Sequence, residues 1–524
     1  MTIELTEAQV RSNKALFDWC LSKGRRAIAR RHYIQATRWC QLAAETAGFG
    51  CGLLASQELE FLLLDIAKQI PSPPTAPRRE AQKHWLHVMT RTDSVGGHNA
   101  LIKRWIELNP KNERHSVVVL DYQDPDENDL QRATDATGGQ FHYLGNLLSR
   151  PIDCAWKLRE LAWTNADYVV LHHHMWDVIP TLAFGIPGGP PVLLMNMADH
   201  LFWVGASIAD LILQLRPEST VLSKRYRGTD RSYLLNIPLP EMNLTQDTDS
   251  CVNLRENLGI PPDALVFLTI GRATKYEPRE GIDFISCAKD LLERLPSSYL
   301  IAVGPTIEHP AWRSAHEATR GRLIPVGSQR NLKPYYKTSD IYLEGFPFGS
   351  LTALLEAGLT GLPCVRAPAV VPPIFRSTGP SIEDLPVPAD PASYVKLAVG
   401  LATLPRTQLK QMGEQLSAKV DQFHRSGWVK QLANIPIPDQ HRNYSLGSKV
   451  ATLTLADAKM LRWLDGDALQ AIRWKAGGLG VDASIDLELI IKALRQLPDV
   501  TFIQNLFRVF LENPVRQPQV KSIS

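Results

Sequence analysis

Four short stretches of the 524-residue chain carry residues whose types and spacing could do chemistry, and each directly follows an apolar run. In EGFPFGSLTALLEAG (Glu344 to Gly358) a Phe-Pro-Phe-Gly turn gives way at once to a Leu- and Ala-rich helix. Gly349 permits close backbone approach, Ser350 and Thr352 add hydroxyls, and Glu356 follows one to two turns inside. Two readings fit. One is ordinary capping with a buried, paired carboxylate. The other is a phosphate on the helix N-terminus, where free N–H groups and the dipole favour an anion, with Glu356 accepting from sugar hydroxyls. In LTIGRATKYEP, Gly271 ends the apolar run and Arg272 and Lys275 follow within one loop. Two cations there either neutralise a diphosphate or are solvated surface charge. In TDSVGGHN, Gly96 and Gly97 open a helix and His98 stands beside them, as a proton acceptor or as the cap of a tight turn. In NMADHLFW, Asp199 and His200 could supply a base and its orienting partner. Gly327, ending RLIPVG, is a further strand-end glycine. Of His172, His173 and His174, at most one can face a given point. No acidic or cysteine partner has ligand spacing, so no metal site is expected.

These residues need a scaffold that collects strand ends, and the sequence supplies one. HWLHVMT, HSVVVLDY, GQFHYLG, ADYVVLHHH and PPVLLMNMA are buried-strand candidates separated by amphipathic stretches. After a polar segment near residue 245 the alternation restarts with ALVFLTIG, SYLIAVGP, RLIPVG, DIYLEG and LPCVRA. Such alternation predicts an α/β chain with two Rossmann-like doubly wound domains, whose ligands bind at the carboxyl ends of the strands and in the cleft between domains. The expected organisation is a helical N-terminal domain over 1–72 and a Pro-rich linker (IPSPPTAPRRE). A first Rossmann-like domain follows over 82–243, then a second over 252–405. One long return helix over 406–435 and a helical extension over 449–524 complete the chain. GGLGVD (Gly477 to Asp482) has no preceding strand and reads as a helix-breaking turn rather than a nucleotide loop.

Composition narrows the function classes. With 44% hydrophobic and 21% charged residues the chain is globular, and a net charge of +3 is too weak to argue for nucleic acid. Seven scattered cysteines, never C-x-x-C, suggest a reducing cytoplasm without a disulfide framework. The N-terminus lacks an apolar signal core, and no run reaches the ~20 residues of a membrane helix.

At these loops the sequence resembles glycosyltransferases of the GT-B fold, in particular the O-GlcNAc transferase group and its bacterial adhesin N-glycosyltransferases. FPFGSLTALLEAGLTGLPCV resembles their phosphate-binding strand-loop-helix. IGRATKYEP resembles the loop bearing their diphosphate-binding lysine, which falls on Lys275. RENLGIPPDALVFLTIGR and QMGEQLSAKVDQFHRSGW look more like sucrose-synthase-type GT-B enzymes. Phe348 stands where that group has the first of two glutamates eight apart, which leaves the stereochemical outcome open. The likeness spans roughly Lys83 to Gln431. One helical pair near the N-terminus vaguely resembles a tetratricopeptide unit, but no second copy follows at a fixed period, so no repeat array is expected. The resemblance implies metal-independent transfer from a nucleotide-diphosphate sugar, with uridine as the base and no further cofactor. Gly97, Gly271, Arg272, Lys275, Gly327, Gly349, Ser350, Thr352 and Glu356 would serve the donor. His98 is the first candidate base, and Asp199 with His200 the second. The acceptor would be a glycan, lipid or protein, with protein glycosylation one form of the activity, and helical termini could hold a protein partner. A nucleotide-sugar 2-epimerase of the same fold and a non-catalytic scaffold are the alternatives.

Overall fold

The structure is a computed structural model. It describes residues 7–48, 50–73, 82–92, 97–109, 112–125, 128–147, 150–242, 254–279, 281–371, 376–447 and 451–454. Gly96 and nearly all of the 449–524 extension, GGLGVD included, lie outside the described residues.

Three helices begin the chain: α1 (Glu7–Ala29), α2 (Tyr33–Gly48) and α3 (Gln57–Ala67), the last capped by Ser56, whose side chain accepts from the Leu59 N–H. Their apolar stripes do not close on themselves. Phe17, Trp39, Leu59, Leu63 and Ile66 share one core with Leu86, Val88, Val118 and Val169 of the sheet that follows. The helices therefore form a layer on the first Rossmann-like domain. Two buried polar clasps fix that layer. Glu60 accepts from the N–H groups of Gly205 (2.7 Å), Ala206 (3.1 Å) and Ser207 (3.3 Å), and burial raises its pKa. Arg159 donates to the carbonyls of Ala67 (3.1 Å), Ile70 (2.6 Å), Pro71 (3.3 Å), Leu182 (2.9 Å) and Ala183 (2.6 Å).

The first domain runs β1 (His84–Arg91), α4 (Gly97–Leu108), β2 (Arg114–Tyr122), α5 (Asp129–Asp135), β3 (Phe141–Tyr143), α6 (Pro151–Asn165), β4 (Tyr168–Leu171), α7 (Ile179–Phe184), β5 (Val192–Asn196), β6 (Leu211–Gln214), α8 (Pro217–Arg227) and β7 (Ser232–Leu234). All pairs are parallel, in the order β3-β2-β1-β4-β5-β6-β7. The second domain runs β8 (Leu265–Ile270), α9 (Phe284–Arg294), β9 (Ser298–Val303), α10 (Pro310–Ala318), β10 (Leu323–Gly327), α11 (Lys333–Thr338), β11 (Ile341–Leu343), α12 (Leu351–Leu359), β12 (Cys364–Val365) and α13 (Pro391–Ala402). Its sheet is parallel too, ordered β10-β9-β8-β11-β12. Both sheets reverse winding direction at the first strand, so each has a switch point, between β1 and β4 and between β8 and β11. Such points open a crevice at the carboxyl ends of the strands.

The return to the first domain is not one helix. It is α14 (Arg406–His424), a turn, and α15 (Trp428–Ala433). A side chain at Gly427 would stand 2.0 Å from the Gln422 carbonyl, so the helix breaks where only glycine fits. Trp428 and Leu432 then pack with Trp85, Leu101 and Trp105. At the crossing, Leu239 N–H donates to His424 O (3.0 Å) and the His424 ring meets Ile237 O (2.8 Å).

Strands buried on both faces are expected to be apolar, yet β1 and β2 carry His87 and His115, both 0% exposed. A chain of hydrogen bonds satisfies them. The Asn109 amide donates to Glu113 (2.8 Å) and to His115 Nε2 (2.7 Å). His115 Nδ1 meets His87 Nε2 at 3.0 Å, and His87 Nδ1 meets His172 Nε2 at 3.1 Å. Burial holds these rings neutral, drawing His115 and His172 down to about 3 and His173 to about 4. In the unfolded chain they titrate near ~6.5, so below that pH the unfolded state binds the extra protons. Stability is thus complete above ~6.5 and declines toward pH ~4, by up to ~1.4 kcal/mol per pH unit for each ring. Denaturant midpoints at pH 7, 6 and 5 should fall progressively; a flat series would mean these rings are already charged in the fold.

Candidate functional site

Loops from the carboxyl ends of both sheets meet. On the second domain, Gly271 follows β8, and Arg272 and Lys275 lie in the short turn after it. Gly345 after β11 lets Tyr276 pass beneath: a side chain there would stand 2.3 Å from its ring. A side chain at Gly271 would likewise stand 3.1 Å from the Tyr276 hydroxyl. The Phe348 N–H donates to Lys275 O (3.2 Å), so the two loops flanking the switch point are tied together.

Helix α12 starts beside them because its Ala- and Leu-rich sequence is strongly helix-forming. Ser350 occupies the cap position, but its side chain makes no capping bond. Its hydroxyl instead faces Lys275 Nζ at 3.3 Å, with Gly349 O at 3.5 Å. The ammonium also lies 4.9 Å from the centre of the Phe348 ring. Burial pulls the Lys275 pKa down to about 8, Arg272 adds to the fall and Glu344 opposes it. Glu344 is engaged elsewhere, accepting from Ala367 N–H (2.8 Å) and Ser377 N–H (3.3 Å). Among the described residues no carboxylate forms an ion pair with Lys275. A desolvated cation at an uncapped helix start is an arrangement that an anion stabilises. Arg272 is exposed at the rim and Thr352 half-buried in the first turn. Gly327 lies apart, two strands from the switch point, bonded to Gly304 and Pro305.

Glu356 is buried and held. Tyr336 donates its hydroxyl to Oε2 (2.9 Å), and Arg104 of α4 in the first domain pairs with Oε1.

On the first domain, Gly97 opens α4 with open space where a side chain would be. His98 packs its ring against His174, 5.8 Å between centres. The three consecutive histidines diverge: His172 joins the buried chain, His173 meets Val204 O at 3.2 Å, and His174 faces His98 and Trp176. Asp199 is claimed mainly by Arg216, which donates from Nε (2.6 Å) and Nη2 (2.9 Å), and by Ser219. Burial would raise its pKa, but Arg216 and His200 outweigh that and hold it below the usual carboxylate range. Asp199 is therefore a weak proton acceptor and serves as an anchor. His200 Nδ1 lies 3.3 Å from it, burial lowers that ring's pKa, and the ring packs 5.3 Å from Phe348 across the cleft.

The fold thus gathers Asp199, His200, Lys275, Gly349 and Ser350 around Phe348, while His98 and Glu356 are joined through α4 and Arg104. Arg104, Tyr336 and Arg216 were not singled out from sequence. Arg216 had a legible signal, an arginine two residues after LILQ and directly before a helix-starting proline. Among the described residues no group of three or more His, Cys, Asp or Glu could hold a metal ion, and no helix is long and apolar enough to cross a membrane.

No protein-family model and no curated protein matches the chain. Solved structures similar to it include a Thermobaculum terrenum O-GlcNAc transferase mutant, at 14% identity over 88% of this chain and 85% of that one, with a TM-score of 0.47. Another is Anabaena HepE in complex with UDP and glucose, at 14% identity over 67% of this chain and 98% of that one, TM-score 0.48. A third is the sucrose-phosphate synthase of Thermosynechococcus elongatus, at 12% identity over 68% and 98%, TM-score 0.44. These neighbours are GT-B glycosyltransferases. This chain has two doubly wound parallel sheets, of seven and five strands, whose carboxyl-end loops meet.

Proposed function

We propose that the protein is a glycosyltransferase that moves a sugar from a nucleoside-diphosphate sugar, with uridine as the base, to a glycan, lipid or protein acceptor in the cytoplasm. The observation that carries this reading is the uncapped start of α12 with the Lys275 ammonium at Ser350. In the reaction the bond from the anomeric carbon to the diphosphate oxygen breaks as the acceptor atom bonds to that carbon. Lys275, Arg272 and the helix N–H groups take the charge left on the diphosphate, so no divalent metal is required. The acceptor's proton goes to an imidazole. His98 is the first candidate, because it stands in the first turn of α4 beside His174.

UDP titration by calorimetry tests the donor side. Ser350→Ala and Thr352→Ala should each weaken UDP binding by roughly 1.5–3 kcal/mol, the worth of hydrogen bonds to a charged acceptor, and EDTA should leave both binding and turnover unchanged. Unaltered UDP affinity with a lowered melting temperature would leave Ser350 a helix-terminus residue and nothing more. On the acceptor side, His98→Ala should cut transfer by about 10²–10⁴ with donor affinity retained. The same pattern from His200→Ala, with His98→Ala active, would assign the base to the second loop.

A further inference from the structure

The Arg104–Glu356 pair joins the two domains at the cleft. It comes from α4, the helix that His98 begins, and ends on α12, the helix that Ser350 begins. Both side chains are largely buried, 15% exposed for Arg104 and 8% for Glu356. A pair this dry costs more desolvation than a surface pair and persists only when its geometry is well made. Tyr336 supplies the third member, holding Oε2 at 2.9 Å. With one donor on each oxygen, the carboxylate is fixed in orientation and keeps a further lone pair on each oxygen for a ligand.

We propose that Arg104 is a positioning residue of the donor site, contributed by the opposite domain: it holds Glu356 oriented toward a vicinal diol, and so couples donor occupancy to the placement of α4. This rests on the nucleotide-sugar reading given above. A ribose brings two adjacent hydroxyls, which the two remaining lone pairs can accept together. Arg104 itself need touch no ligand; it acts through Glu356. Because α4 is rigid, a donor that tightens the grip on Glu356 also settles the first turn of α4, where His98 lies. Occupancy of one domain is then felt in the other, and by linkage the effect is reciprocal.

Two measurements on the full chain decide this. The first needs no ligand: spin labels on exposed positions of each domain report the interdomain distance. Arg104→Met keeps the aliphatic stem, removes the charge, and should broaden that distance distribution; Arg104→Lys should restore most of it. The second is titration with UDP and with 2′,3′-dideoxy-UDP. Arg104→Met should weaken UDP about 5–150-fold, the usual span of a coupling between sites, leave dideoxy-UDP nearly unaffected, and be partly rescued by Arg104→Lys. UDP binding that is normal in Arg104→Met overturns the proposal while leaving the donor reading intact. Failure of the unsubstituted protein to bind UDP overturns the donor reading and this proposal with it. A distance distribution unchanged in Arg104→Met overturns the coupling, and equal losses for UDP and dideoxy-UDP overturn the diol as the group that Glu356 reads.

Discussion

Replacing Lys275 by alanine is expected to lower kcat/KM for sugar transfer by about 10²–10³, the cost of removing preorganised charge from a departing group. Three observations make this residue the steepest point of the site. Its ammonium is aimed at the start of α12 by Ser350 Oγ and Gly349 O. No described carboxylate pairs with it, so its charge remains available to a ligand. Burial has already taken its pKa to about 8, so an arriving diphosphate restores a stabilisation that the fold withholds. The sign with pH follows. The cation is needed, so UDP affinity should fall as the pH rises through about 8 in the free protein. Lys275→Arg should keep binding at that pH, because a guanidinium does not titrate there. The fold should survive Lys275→Ala, since a turn residue that bonds one hydroxyl and one carbonyl contributes little packing. Near-normal turnover in that variant would remove the β8 loop from the donor site.

Replacing Arg159 by alanine should have the largest effect on stability, about 3–5 kcal/mol, comparable to breaking a buried ion pair and a large part of a typical domain's total. Arg159 is 0% exposed and, among the described residues, pairs with no carboxylate. It instead collects carbonyls from the ends of α3 and α7 and from the segment after α3, groups that a helix terminus leaves without partners. Truncation therefore strands several buried acceptors at once, and it unlinks the helical layer from the first domain. Burial lowers the pKa of Arg159 to about 10, so the group remains cationic at neutral pH. Arg159→Lys should lie between the two, because one ammonium cannot span acceptors on both helices. Calorimetric melting of the three proteins checks the order; equal melting temperatures for Arg159→Ala and the parent would mean that water replaces the guanidinium.

Strand ends were legible because their chemistry is local. An apolar run, a glycine and then a cation or hydroxyl can be read from adjacent letters, which makes Lys275, Ser350 and His98 candidates. What depends on distant partners was not legible. Glu356 reads as a ligand-facing carboxylate or a paired one, and its partner Arg104 is 252 positions away on another domain. His87 lies inside HWLHVMT with no partner visible in the adjacent letters, since the rings that satisfy it come from residues 28 and 85 positions on. The helical segment read as a separate domain because Glu60 meets its loop only across 145 residues. The return helix read as continuous because Gly427 is tolerated in a helical pattern, and only the approach of the Gln422 carbonyl makes it a break. Asp199 reads as a base beside His200 until Arg216, 17 residues later, folds back onto it.

The crossing of the chain at Leu239 and His424 has a consequence for how the protein is made. The second domain is inserted between β7 and α15 of the first, and Trp428 and Leu432 are packed under the first sheet against Trp85 and Trp105. On the ribosome, β1 to β7 emerge early, yet that part of their core stays open until the whole second domain has been synthesised and α15 follows it out of the exit tunnel. The inserted domain has all its strands before that moment. The α15 contact is therefore the last part of this core to form, and Trp105 waits for Trp428 in the nascent chain.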